Sequence, residues 1–142
     1  MLRIHAADVS LFNTSRDEWN ELVMSMKRPS VFCTWEWIHA WFRLLGNSYQ
    51  PLLLFAYRGD TLAGVIPFAM KTMRIEDGVV PGRAITFCGS RELYPDHMDV
   101  IASAEDAAEC MHAAMHYLST EFKAWDVMHI SHVSDDAALL AY

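Results

Sequence analysis

Leu52-Leu53-Leu54-Phe55-Ala56-Tyr57-Arg58-Gly59-Asp60-Thr61-Leu62-Ala63-Gly64-Val65-Ile66-Pro67-Phe68-Ala69-Met70-Lys71 is the stretch that decides the fold. Two apolar runs, Leu52 to Arg58 and Thr61 to Lys71, meet across Gly59-Asp60, a pair suited to a tight hairpin turn. Pro67 cannot donate to a ladder and predicts an edge or a bulge.

Upstream of the hairpin, a helix is predicted to start at Thr34 and run to Leu45, with Gly46 as its stop. That helix is apolar almost all round (Trp35, Trp37, Ile38, Trp41, Phe42, Leu44 and Leu45), so it packs on a sheet or meets a partner. Before it, Ser15 and Glu18 have capping-box spacing, and Trp19, Leu22, Val23 and Met26 form one apolar stripe ended by Pro29. Leu2 to Ala7 reads as a first strand. Downstream, Asp77-Gly78 and Pro81-Gly82 mark 75–83 as a loop, and Ala84 to Cys88 and His97 to Ala102 as strands. Ser103 opens a third helix with Met111, Met115, Leu118 and Phe122 on its buried side. Trp125 to Ser131 is a further strand, and Asp135 or Asp136 opens a last helix over 137–142. The order β α α β β β β α β α, without an internal repeat, predicts an α/β (α+β) domain with a mixed, largely antiparallel sheet.

Composition narrows the function. With 142 residues, 53% of them hydrophobic, the chain is long enough for one domain with a sizeable core. Eleven Lys and Arg against 18 Asp and Glu give a net charge of −7. No nucleic acid is expected as partner, because phosphate contacts need clustered cations. No run of roughly 18 apolar residues suggests a membrane span. The N-terminus lacks the apolar segment of a secretory signal. Cys33, Cys88 and Cys110 are an odd, widely spaced set, which argues against a disulfide framework. The expected location is cytoplasmic.

Several constellations bear chemistry. His112 and His116 stand one helical turn apart, as metal pairs do, but share a face with Glu105 and Glu109 opposite the apolar stripe; a solvated polar face outweighs a metal site. His129 and His132 close a strand and point to different faces. Cys33 has no base near it in sequence and reads as a buried structural thiol. Trp35, Trp37 and Trp41 suit a buried helix better than a stacking platform for a sugar. Tyr94-Pro95-Asp96-His97-Met98-Asp99 crowds two carboxylates and an imidazole into four residues at a strand entry. A strand from His97 would put His97 and Asp99 on one face. Such a group could serve proton transfer or hold a cationic or hydroxylated ligand, but on the residues alone a strand entry with solvated acids is the better reading.

Short motifs then accumulate in order. Pro29-x-x-Phe32-x-Thr34-x-x-Trp37, Leu62-Ala63-Gly64-Val65-Ile66-Pro67-Phe68, Ile85-Thr86-Phe87-Cys88-Gly89-Ser90, Asp96-His97-Met98-Asp99 and Trp125-Asp126-Val127 together resemble the acetyltransferase family named for bacterial cellulose-biosynthesis loci. That family is similar to the Fem-type aminoacyltransferases within the GNAT superfamily. The resemblance implies a GNAT-like N-acyltransferase acting with acyl-CoA on an amine of a polysaccharide or cell-envelope precursor. Family members are about twice this length, so the chain resembles their N-terminal half. The expected partner is then a C-terminal acyltransferase half or a second copy of the chain. Under the resemblance, Asp96, His97 and Asp99 are candidates for orienting or deprotonating the acceptor, with Tyr94, Trp35 and Trp37 as substrate contacts. The family holds the CoA pyrophosphate on a glycine-rich loop at a helix N-terminus, where free N–H groups favour anions. The matching stretch, Ala102-Ser103-Ala104-Glu105-Asp106-Ala107-Ala108-Glu109, has no glycine and three acids. No cofactor is therefore expected on this chain; the donor site lies mainly outside it, and the isolated chain is expected to be inactive. A non-catalytic binding or assembly module, forming a homo-oligomer or holding a partner, is the alternative.

Overall fold

The computed structural model describes every residue except Glu76, Asp77, Ser90, Arg91, Glu92, Tyr94, His132 and Tyr142. Its architecture is mixed α+β: a largely antiparallel open sheet flanked by helices. The order is β1 (Arg3–Ala6), α1 (Val9–Thr14), α2 (Arg16–Ser25), a 3-10 turn at Val31–Cys33, α3 (Trp35–Leu44), a 3-10 turn at Gly46–Ser48, β2 (Gln50–Arg58) and β3 (Thr61–Ile75). Then come β4 (Val80–Phe87), β5 (Ile101–Ala102), α4 (Ala107–Thr120), β6 (Val127–Met128) and a 3-10 turn at Ala138–Ala141. The sheet runs β1-β2-β3-β4-β6, with β5 pairing the free half of β3.

The hairpin forms as its sequence dictates. Leu52 to Ala56 and Leu62 to Met70 are buried without interruption, because both faces are covered. Register pairs Phe55 with Val65 and Ala56 with Gly64, so Phe55 and Gly64 look to opposite sides. Trp19 of α2 meets the Phe55 ring edge-on, 5.9 Å between centroids. On the other face Cys110 of α4 sits so close to Gly64 that an added Cβ would fall 2.6 Å from its sulfur. Glycine is required there by this approach.

Four expectations need correction. Pro67 is neither at an edge nor at the irregularity of the β2–β3 ladder, which falls at Ala56/Tyr57. It lies between the end of the β5 pairing at Val65 and the start of the β4 pairing at Phe68. Its missing N–H thus falls where β3 changes partners, while its carbonyl accepts from Cys88 N at 2.9 Å. The 75–83 segment is not all loop, for Ile75 pairs with Val80 and Met73 with Gly82. Gly82 makes room for the Ile75 side chain, 2.6 Å from where a Cβ would stand. The strands expected over His97–Ala102 and Trp125–Ser131 shrink to two residues each. The last helix is the single 3-10 turn at Ala138–Ala141; Tyr142 lies outside the described residues.

A helix was also missed. Asp8 caps α1 by accepting from Leu11 N at 2.8 Å, although α1 has only 6 residues. Ser15 precedes α2 but its hydroxyl donates backward to the Phe12 carbonyl instead of capping. α3 agrees with its predicted bounds, and Thr34 Oγ1 accepts from Trp37 N.

β4 carries one polar misfit. Thr86 pairs with Ala69 and is buried, and its hydroxyl finds no hydrogen-bond partner among the described residues. A buried unpartnered polar group costs about 1–3 kcal/mol. Thr86→Val keeps the β-branched shape and is expected to raise stability by about 1 kcal/mol, read from the urea midpoint. A lower midpoint would show that the hydroxyl is bonded.

Candidate functional site

The segment 95–100 is held by Met98, which is fully buried, while Asp96 and His97 are exposed. His97 adopts φ 57°, the left-handed region that few non-glycine residues enter. Asp99 accepts from the next backbone amide, Val100 N, at 2.8 Å. These two local devices keep the chain out of the ladder until Ile101. The strand alternation expected to align His97 and Asp99 is therefore absent, yet both line one cleft.

Distant elements complete that cleft. His97 Nδ1 lies 2.9 Å from Ser134 Oγ. The Asp99 carboxylate accepts from Ala138 N at 3.0 Å through Oδ2, at the start of the last 3-10 turn. From the end of α2, Lys27 and Arg28 reach Asp136 at 2.8 and 3.2 Å. An inner cavity of about 50 Å³ touches His97, Asp99 and Ser134. An outer cleft of about 490 Å³ is rimmed by Arg28, Asp96, His97, Ser134, Asp135 and Asp136. Three carboxylates against one guanidinium make that rim net negative, which suits a cationic group.

The acids differ in environment. Burial pushes the Asp99 carboxyl above the usual aspartate range, although the N–H groups of Ala138, Val100 and Leu139 pull it down. Asp136 is held below that range, chiefly by its hydrogen bond from Lys27. A carboxyl raised on folding favours the fold at acid pH, and that contribution is lost as pH rises through its folded value. Asp99→Asn, which removes the buried charge, is therefore expected to be more stable than the parent at pH 7. The advantage should shrink on acidification, as the parent carboxyl takes up its proton. Urea midpoints at neutral and acid pH check this; an advantage that grows on acidification would contradict it.

Other singled-out residues lie elsewhere. Trp35 stacks on His39 at 4.4 Å and donates from Nε1 to the Phe12 carbonyl at 2.8 Å. Trp37 packs edge-on against Phe32 and under Gly89. Neither lines the cleft, and Tyr94 falls outside the described residues. All three cysteines are buried. Burial pushes Cys33 and Cys110 up to about 12 and Cys88 well above its ordinary value, so all stay protonated and inert. Among the described residues no group of three or more His, Cys, Asp or Glu could hold a metal ion, His112 and His116 included. The His129 pair cannot be placed, since His132 lies outside the described residues. At the start of α4, Arg58 bridges Asp106 and Glu109 at 2.8 Å each, two carboxylates to one cation.

Sequence reasoning missed Ser134, Asp136, Lys27 and Arg28 as neighbours of the Asp96–Asp99 turn. No local pattern marks them. Among the described residues no helix is long and apolar enough to cross a membrane. No protein-family model matches the chain, and no curated protein does.

Proposed function

We propose that the chain is the N-terminal, acceptor-side portion of a GNAT/Fem-like N-acyltransferase that acts on an amine of a polysaccharide or cell-envelope precursor, with acyl-CoA as donor. The observation that carries this reading is the His97–Ser134 contact inside an acid-rimmed cleft. An acceptor amine arrives as an ammonium ion, and Asp96 and Asp135 attract and orient it, while Asp136 is held by Lys27 and Arg28. It must lose a proton before its nitrogen attacks the thioester carbonyl. With Nδ1–H donated to Ser134, His97 keeps the Nε2 lone pair to take that proton. The nitrogen–carbonyl bond then forms, the carbon–sulfur bond breaks, and the departing CoA thiolate takes the second proton from the nitrogen, leaving a neutral amide and a free thiol. Asp99 acts as a positioning residue: its oxygens hold the segment that carries Ser134 and Asp136.

The donor belongs outside these residues in this reading. Asp106 and Glu109 at the start of α4 repel a pyrophosphate, and Arg58 is already committed to both. Calorimetric titration with a glucosamine oligosaccharide tests the acceptor half. Heat of binding that is absent with the N-acetylated oligosaccharide and reduced in Asp96→Asn supports the reading. Equal binding of both sugars, or of neither, defeats it.

A non-catalytic assembly module is the second reading, favoured by the exposed Leu44 and Leu45 at the end of α3. Sedimentation would then show a dimer or larger species that Leu44→Lys dissociates, whereas a dilute monomer removes this reading.

A further inference from the structure

A second cavity shares no residue with the cleft. It lies between α1, α3 and the start of β2, with a volume of about 590 Å³, within the range of small-molecule sites. Its origin is topological. β1 pairs with β2 from Tyr57 to Leu54, and Ala7 N still donates to the Leu53 carbonyl. The chain then turns away at Asp8 into α1, which leaves the first residues of β2 without a strand on that side. Phe12, Phe42, Tyr49 and Leu53 line the space left open. Pro51 lies two residues before Leu53 and has no N–H to offer, so an added β-strand is a poor occupant.

The groove itself holds one cation, Arg43, and one acid, Asp8. Arg43 lines it and makes no ion pair among the described residues. An adjoining depression of about 310 Å³ shares Asn47, Tyr49 and Gln50 with it and contains no acid. Lys71 stands there, 4.9 Å over the Tyr49 ring, while Arg83 is committed to Asp126. Asp8 is the one acid lining either space, and its Oδ1 already accepts from Leu11 N. Arg43 thus faces an apolar, aromatic floor, and Lys71 adds a second cation from the adjoining depression across the shared Tyr49, in a protein of net charge −7.

We infer that this groove is a binding site for a small organic anion with an aromatic or alicyclic body, its ring on Phe12, Phe42 and Tyr49 and its carboxylate, sulfonate or phosphate toward Arg43 and Lys71. The site does not depend on the function assigned to the His97 cleft. The probe is 8-anilinonaphthalene-1-sulfonate, set against the neutral N-phenyl-1-naphthylamine, which shares its ring system. Saturable binding of the sulfonate is expected, with shifts of the Asn47 and Gln50 amide resonances. Arg43→Glu should weaken it roughly tenfold, the size of one lost charge-assisted contact, and leave the neutral probe unaffected. Arg28→Glu, in the other cleft, should change neither probe. Near-UV circular dichroism verifies that each variant keeps its packing. Absence of saturable binding, equal affinity for the two probes, indifference of the sulfonate to Arg43→Glu, or its loss in Arg28→Glu would each overturn the inference.

Discussion

Trp19→Ala is expected to remove about 4 kcal/mol of stability, the cost typical of deleting a fully buried large aromatic side chain. Trp19 has no exposed surface. Its ring meets Phe12 at 5.5 Å and Phe55 at 5.9 Å, so it ties α1 and the sheet to α2. Its Nε1 donates to the Cys33 carbonyl at 2.8 Å, which fixes the 3-10 turn before α3. Alanine empties the site and leaves that carbonyl unpaired. Domains of this size are stable by about 5–15 kcal/mol, so the variant should be partly unfolded at 37 °C. Trp19→Phe keeps most of the ring and loses the hydrogen bond, and should fall between the two. Urea denaturation of the three proteins checks the order. A loss below about 1 kcal/mol in Trp19→Ala would mean that α2 does not pack as described.

Gly89→Ala is expected to cost about 2–5 kcal/mol through two separate effects. Gly89 has φ +79°, which an L side chain resists by about 1–2 kcal/mol. An added Cβ would also stand 2.2 Å from the tip of the Trp37 ring. That ring is wedged against Phe32 at 5.4 Å and cannot swing freely. Because Gly89 lies in the turn after β4, ahead of the Asp96–Asp99 turn in the chain, the damage should reach the cleft as well. Trp37→Leu in the same chain should recover part of the loss, since it removes the clash and leaves the φ strain. No recovery would assign the whole cost to the backbone.

Elements whose reasons are local were legible in the sequence. The β2–β3 hairpin announces itself by unbroken apolar runs around Gly59-Asp60, and α3 by Thr34 before it and Gly46 after it. α1 was hidden because Val9, Ser10, Asn13 and Thr14 are indifferent helix formers and Asp8 was not weighed as a cap. The shortness of β5 was hidden because it depends on one left-handed histidine and on Asp99 taking the Val100 amide. Pro67 misled because a proline in a central strand is tolerated only where the strand changes partners, a tertiary fact. The Asp96–Asp99 turn drew attention by composition alone, and His97 and Asp99 do share a cleft. Its other half was out of reach: Lys27 and Asp136 are 109 positions apart, and only the tertiary fold sets the chain after α2 beside the segment before the last 3-10 turn.

On the proposed reading acceptor and donor sites are separate: an amine would bind among Asp96, His97 and Asp135, and the start of α4 would reject a pyrophosphate. Amide-resolved NMR of the chain, titrated in turn with a glucosamine oligosaccharide and with acetyl-CoA, tests both parts at once. The account predicts shifts at Asp96–Asp99 and 133–136 with the sugar, and none at Ser103–Glu109 with acetyl-CoA. Shifts at Ser103–Glu109 with micromolar acetyl-CoA, and silence around His97 with the amine, would contradict it.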